Sequence, residues 1–139
     1  MADTRIQHAL ETILEEDSGV SAIVSSRVYP LLRSTGSALP AITYQKIDGP
    51  RLQSHDGPSG TAHPRFQVNI WAKKYTEVVT LAERVRIALD GYSGTVGTVV
   101  IQAITLEDEA DAMEAEDVEE MKMYGIRQDY FVWHEEPQT

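Results

Sequence analysis

Apolar residues recur near the start of the chain at Ile6, Ala9, Leu10, Ile13 and Leu14, the spacing of one helical face. Asp3 suits the position that caps such a helix. "EEDSG" at 15–19 ends the run, with Gly19 placed to take the left-handed conformation common at helix ends. Val20, Ile23 and Val24 then predict a short turn of helix over 20–25. "RVYP" at 27–30 runs extended, because Pro30 disfavours helix at Tyr29.

The period changes to two at "AITYQKI" (41–47), which predicts a strand, and again over 64–72, where Phe66, Val68 and Ile70 share one face. Between them, residues 48–63 are dense in Gly, Pro, Ser and Asp and predict a long surface loop; loops of that length without a core of their own are usually functional or disordered. A second helix follows, capped by Thr76, with Val78, Leu81, Ala82, Val85, Ala88 and Leu89 as its stripe and Gly91 just past its end. Two more strands are expected over 98–106 and 122–134, separated by an acidic loop at 107–120. The order is helix, strand, strand, helix, strand, strand. It predicts a single α+β domain over 1–139: a mainly antiparallel four-stranded sheet, two helices packed on one face, a long β-hairpin loop at 48–63 and a short tail at 136–139.

A sheet covered on one face leaves the other open. Trp71 falls on that second face, and so do Phe131 and Trp133 if Tyr130 and Val132 face the helices. Each such side chain buries roughly 150–250 Å² when covered. Two covers are open: the aromatic residues pack on one another or under the long loop, or they meet a neighbouring subunit.

Charge divides the chain. Residues 1–90 hold ten Lys/Arg and ten Asp/Glu, whereas residues 91–139 hold two and twelve, which accounts for the net charge of −10. Nine acids fall within 107–120: Glu107, Asp108, Glu109, Asp111, Glu114, Glu116, Asp117, Glu119 and Glu120. Sequence-specific nucleic-acid binding is disfavoured, since phosphate contacts need concentrated Lys and Arg. No long apolar run suggests a membrane span or a secretory signal. The absence of cysteine excludes disulfides, thiolate metal sites and cysteine nucleophiles and agrees with a reducing cytoplasm.

Candidate chemistry is sparse. His8 lies between stripe positions of the first helix and is expected at the surface. His55, Asp56 and His63 share the long loop, so a metal-dependent enzyme or small monomeric binding module built on them is conceivable, but turn chemistry explains "HDGP" better. The acidic run lacks the glycine of a calcium loop and has alanines at ligand positions. "GTVG" (94–97) precedes a strand rather than the helix that a phosphate loop needs. No cofactor, metal or catalytic residue is expected.

Four segments in order, "RVYP" (27–30), "LPAITYQKI" (39–47), "FQVNIWAKKYTEVVTLAERVRIALDGY" (66–92) and "YGIRQDYFVWHE" (124–135), resemble the tail completion, or tail terminator, proteins of long-tailed bacteriophages. The likeness runs from Leu10 to Glu135. It departs at Asn69, where members often carry a carboxylate, and in the length of the acidic segment. Arg27, Tyr29, Pro30, Pro40, Trp71, Ala82, Leu89 and Trp133 carry over as scaffold positions. The resemblance implies a structural protein without catalysis: a ring, typically a hexamer, at the head-proximal end of the tail tube. Such a ring ends tube polymerisation and meets the head connector; a head-completion or neck protein is the nearest alternative. The partners implied are the tail tube protein and the head completion protein, with DNA passing through the channel and no membrane. The location implied is the virion neck, after assembly in the host cytoplasm. On that reading Trp71, Phe131 and Trp133 are candidates for the subunit interface. Arg51, Leu52, Gln53, His55 and Arg65 become candidates for tube or connector contact. The nine acids either line the lumen, where they would repel DNA phosphate, or face a basic partner.

Overall fold

The computed structural model describes residues 5–25, 27–30, 39–48, 51–54, 57–114 and 123–135. Three helices occur, α1 (Arg5–Glu16), α2 (Ser18–Val24) and α3 (Tyr75–Leu89). The strands are β1 (Val28–Pro30), β2 (Ala41–Asp48), β3 (Arg51–Ser54), β4 (Gly57–Ala62), β5 (Arg65–Ala72), β6 (Gly94–Val96), β7 (Val99–Glu114) and β8 (Met123–Glu135). Six of them lie side by side in the order β1-β2-β5-β8-β7-β6 and curl into a half-barrel. The sheet is mixed, because β1 joins β2 in parallel while the other pairs are antiparallel.

The expected four-stranded, mainly antiparallel sheet with two helices is therefore wrong. Both β1 and β6 are three residues long, too short to show alternation, yet each extends the sheet at an edge. The turn expected at 20–25 is part of a true third helix. Asp17 starts it: its Oδ1 accepts from the Val20 N–H at 3.0 Å, so Asp17 caps α2 as soon as α1 stops. Gly19 consequently lies inside α2, not at a helix end; a Cβ there would meet Arg84 Cδ of α3 at 3.3 Å. Lys74 occupies the cap of α3 without a side-chain bond, and Thr76, expected there, sits within the helix. Gly91 does stand past the end of α3 with φ +83, as its place in the sequence predicts. Asp3 lies outside the described residues.

The sheet is made of two long hairpins. In the first, β4 and β5 form one line along β8. Thr61 faces Glu135, Ala62 faces His134, and the register continues unbroken from Arg65 opposite Phe131 to Ala72 opposite Tyr124. Pro64 has no N–H, but its carbonyl accepts from the Val132 N–H at 3.0 Å and carries the ladder across. β3 extends β2 in the same way, past a register shift between Lys46 and Asp48. The presumed loop at 48–63 is thus, where described, a two-stranded arm running beyond the end of β8. In the second hairpin, β7 and β8 pair from Ile101–His134 to Glu114–Met123.

The helices fill the concave face. Leu14 of α1, Val20 and Val24 of α2, and Val78, Leu81, Val85 and Leu89 of α3 are fully buried against Phe66, Ile70, Ile104 and Val132. α1 touches both β1 and β6, so it plugs the gap that a closed barrel would seal with a sixth pairing. Among the described residues, one fully buried polar residue belongs to this core. Gln128 is fully buried; its Nε2 donates to the Ala82 carbonyl at 2.9 Å and to Glu109 Oε2 at 2.6 Å, and its Oε1 accepts from the Tyr130 hydroxyl at 2.8 Å. The amide ties α3, β7 and β8 together with its bonding capacity met.

Burial, with Asp90 and Glu109 nearby, raises the Tyr130 phenol above its ordinary range, and burial beside Glu11 does the same to Tyr44. A phenol whose folded pKa lies above its unfolded value stabilises the fold fully below the unfolded pKa. That contribution is lost as pH climbs above about 10. Absorbance titration will show Tyr44 and Tyr130 ionising only together with loss of secondary structure. At neutral pH, Tyr130→Phe will cost about 1–3 kcal/mol in urea unfolding, because it leaves Gln128 Oε1 buried without a donor.

Candidate assembly surface

Alternation along β5 and β8 decides what the convex face of the sheet presents. Phe66, Val68, Ile70 and Ala72 point to the helices, leaving Gln67, Asn69 and Trp71 half-buried on the other side. Ile126, Gln128, Tyr130, Val132 and His134 are buried towards the helices, so Arg127, Asp129, Phe131 and Trp133 share the convex face.

The aromatic residues are on the expected face but do not form one patch. Trp71 stands opposite Gly125 in the register, and Trp133 lies eight positions further along β8, roughly 26 Å away at strand rise. Trp71 sits beside a position with no side chain, and its indole N–H donates to Thr43 Oγ1 at 3.2 Å. At the far end His63 stacks on Trp133, with ring centres 4.4 Å apart and planes 19° from parallel. The Arg65 guanidinium lies 5.8 Å from the centre of the Phe131 ring. His63 and Arg65 thus give Trp133 and Phe131 partial cover within the chain, and all three aromatic side chains remain half-buried.

Between the aromatic ends runs a polar band. Gln45 Nε2 and Asn69 Nδ2 donate to Gln67 Oε1 at 3.0 and 3.3 Å. Beside it, charges alternate across three strands: Arg65 Nη2 meets Asp129 Oδ2 at 2.7 Å and Arg127 Nη2 meets Asp108 Oδ2 at 3.1 Å. Arg127 Nε and Asp129 Oδ1 stand 3.8 Å apart, an ion pair too long for a hydrogen bond, and both atoms are buried without one. The Asp129 hydrogen bond raises the Arg65 pKa further. The sequence hides this band because each member alone is an ordinary surface residue; only the register places them side by side.

The two ends of the sheet differ. Arg51, Leu52 and Gln53 lie on β3 of the arm; Arg51 is level with His134 through Ala62, and the arm passes the last described residue of β8 from Gln53 onward. Arg65 belongs to β5 and is held by Asp129, so it is not a loop residue. His55 and Asp56 lie outside the described residues. Glu107, Asp108, Glu109, Asp111 and Glu114 lie on β7, a strand where an acidic loop was expected, and only Glu114 lies beyond the end of β5. Pairing with β8 makes it a strand; its sequence conceals this because Glu107, Asp108, Glu109 and Asp111 are all exposed and show no apolar alternation. A shift between Leu106 and Asp108 makes Glu107 the extra residue. Asp108 joins the convex band. Glu109 takes the Gln128 amide, and Asp111 Oδ2 accepts from the Tyr75 hydroxyl at 3.2 Å. Glu116, Asp117, Glu119 and Glu120 lie outside the described residues.

Arg27, Pro40, Ala82 and Leu89, among the scaffold positions, hold the fold together. Arg27 Nε donates to the Pro40 carbonyl at 2.8 Å and its Nη2 to the Ile23 carbonyl at 3.2 Å, fastening α2 to the start of β2. Ala82 and Leu89 are buried in α3. Among the described residues no group of three or more acids and histidines is placed to hold a metal ion, and no helix is long and apolar enough to cross a membrane.

A profile of the family described as tail completion protein gp17 matches residues 8–135. The chain belongs to that family. As a tail completion protein it is a tail-associated structural protein of the virion. Among solved structures it is similar to a chain in a structure described as "Virion of native gene transfer agent (GTA) particle". The two are 16% identical, with a TM-score of 0.78 over 94% of each chain, a likeness of fold. No curated protein matches the chain.

Proposed function

We propose that this tail completion protein forms a ring, a hexamer, on the head-proximal end of the tail tube, where it stops tube polymerisation and joins the tail to the head connector. The observation that carries this reading is the opposed reach of the two hairpins. The β3–β4 arm projects beyond Glu135, the last described residue of β8, and β7–β8 reaches one described pair, Glu114 with Met123, past Ala72, where β5 ends, while Asp108 and Asp111 lie level with Gln67 and Ile70 of β5. A subunit with a contact element at each end of a stiff sheet suits a joint between two different assemblies. The partners are a tail tube protein at one end and a head completion protein at the other.

The convex face, with Trp71, Phe131 and Trp133, is the interface to a neighbouring subunit. DNA passes through the ring without sequence-specific contact, and the acids of 107–120 face either the lumen or a basic partner. Lumen acids would keep phosphate from adhering during passage. Particles produced without this chain test the reading. Overlong tails and detached heads are expected in electron micrographs. Tails of normal length attached to heads would overturn it.

A further inference from the structure

The arm leaves the sheet at a weak line. On β2 the register shifts between Lys46 and Asp48, and opposite Asp48 stands Arg65, the first residue of β5. The two residues before it, His63 and Pro64, belong to no strand, and Pro64 has no N–H to give a neighbour. Both long strands are thus irregular at one level, and irregular pairing is where a strand bends. The described links from the arm's root to the backbone of β8 are the Thr61–Glu135 and Ala62–His134 pairs and the bond from the Val132 N–H to the Pro64 carbonyl.

A side chain adds a further link. His63 stacks on Trp133, and its ring also lies 6.0 Å from that of Phe131, tilted by 57°. Arg65 continues the row, over Phe131 and bound to Asp129. The two ends of this row differ in kind. Arg65 is tied to a buried carboxylate, whereas His63 meets β8 ring against ring. A flat contact of that sort is weak, and another flat surface replaces it readily. The convex interface proposed above needs the ring of Trp133, and His63 already covers one face of it. A neighbouring subunit and His63 therefore compete for the same face.

We propose that the arm is an autoinhibitory cap. In the free chain its root residue His63 covers Trp133, and the arm turns about the line at Asp48 and Pro64 to uncover that ring when its far end engages another virion protein. Packing of the next subunit on Trp133 then follows contact at the arm, so rings form where such a partner is present. This rests on the ring and convex-face readings above and adds what keeps free copies apart.

The chain has two tryptophans and no cysteine, so probes of either kind report cleanly. Labelled with 5-fluorotryptophan, the purified chain gives two fluorine-19 resonances. His63→Ala is expected to move that of Trp133 and leave that of Trp71, roughly 26 Å away, in place. In sedimentation velocity the same variant is expected to self-associate at a concentration about two- to ten-fold below the parent's. His63→Phe keeps a ring over Trp133 and is expected to behave as the parent. Two unmoved resonances would mean that the stack is absent in solution and overturn the proposal. A variant that associates no better than the parent would overturn it too, since His63 would then not stand in a neighbour's way. As a second measurement, oxidation of Thr61→Cys with Glu135→Cys joins the arm's root to β8. Added to tails that lack this chain, the oxidised protein is expected to form no rings by negative stain, and reductant to restore them. Rings from the oxidised protein would overturn the cap and leave the ring reading intact. Rings from neither the reduced protein nor the parent would remove the ring reading, and the cap with it.

Discussion

Replacing Phe66 with alanine will lower the unfolding free energy by about 3–5 kcal/mol. Phe66 is fully buried at the centre of the sheet, opposite Lys46 on β2 and Tyr130 on β8, with the helices over it. No backbone movement fills such a hole without distorting both neighbouring strands. Domains of this size are stable by roughly 5–15 kcal/mol, so the loss is a large share of the whole. The adjacent Gln67 points the other way, and Gln67→Ala will cost about 1 kcal/mol, the value of its convex-face hydrogen bonds. Urea unfolding of the two variants compares the faces directly. Equal costs would mean that the helices do not cover the face described here.

That face was legible in the sequence. The period-two run through Phe66, Val68 and Ile70 and the stripe from Val78 to Leu89 place the core, because burial on one side imposes a period that polar residues cannot imitate. Strand number was not legible. β1 and β6 are short edge strands whose existence depends on what β2 and β7 offer them, information carried elsewhere in the chain. The arm at 51–62 was concealed by its Gly, Pro and Ser content, which carries no apolar alternation. Acidic β7 was missed because Glu107, Asp108, Glu109 and Asp111 are exposed and show no apolar alternation. Trp71 and Trp133 were correctly placed on one face, but their separation follows from register, which periodicity does not contain. Gln128 left a faint trace as the one polar residue in the buried phase of β8 before His134, and it marks the point where α3 is anchored.

Shortening the arm will separate heads from tails while leaving the fold in place. Arg51 and Ala62 face one another across the hairpin, so replacing Leu52–Thr61 with an Asn-Gly turn closes it where it leaves the sheet. Every core residue among those whose burial is described lies outside the deleted segment. Only the register pair of Thr61 with Glu135 is lost from β8, because Ala62 keeps its place opposite His134. The melting temperature should therefore stay within about 5 °C of the parent. What is lost is one end of a subunit that has to hold two assemblies together. The decisive measurement is electron microscopy of particles assembled with this shortened chain. Heads and tails lying apart, with the purified variant folded, is the predicted result; joined, infectious particles would contradict a role for the arm in the head–tail joint.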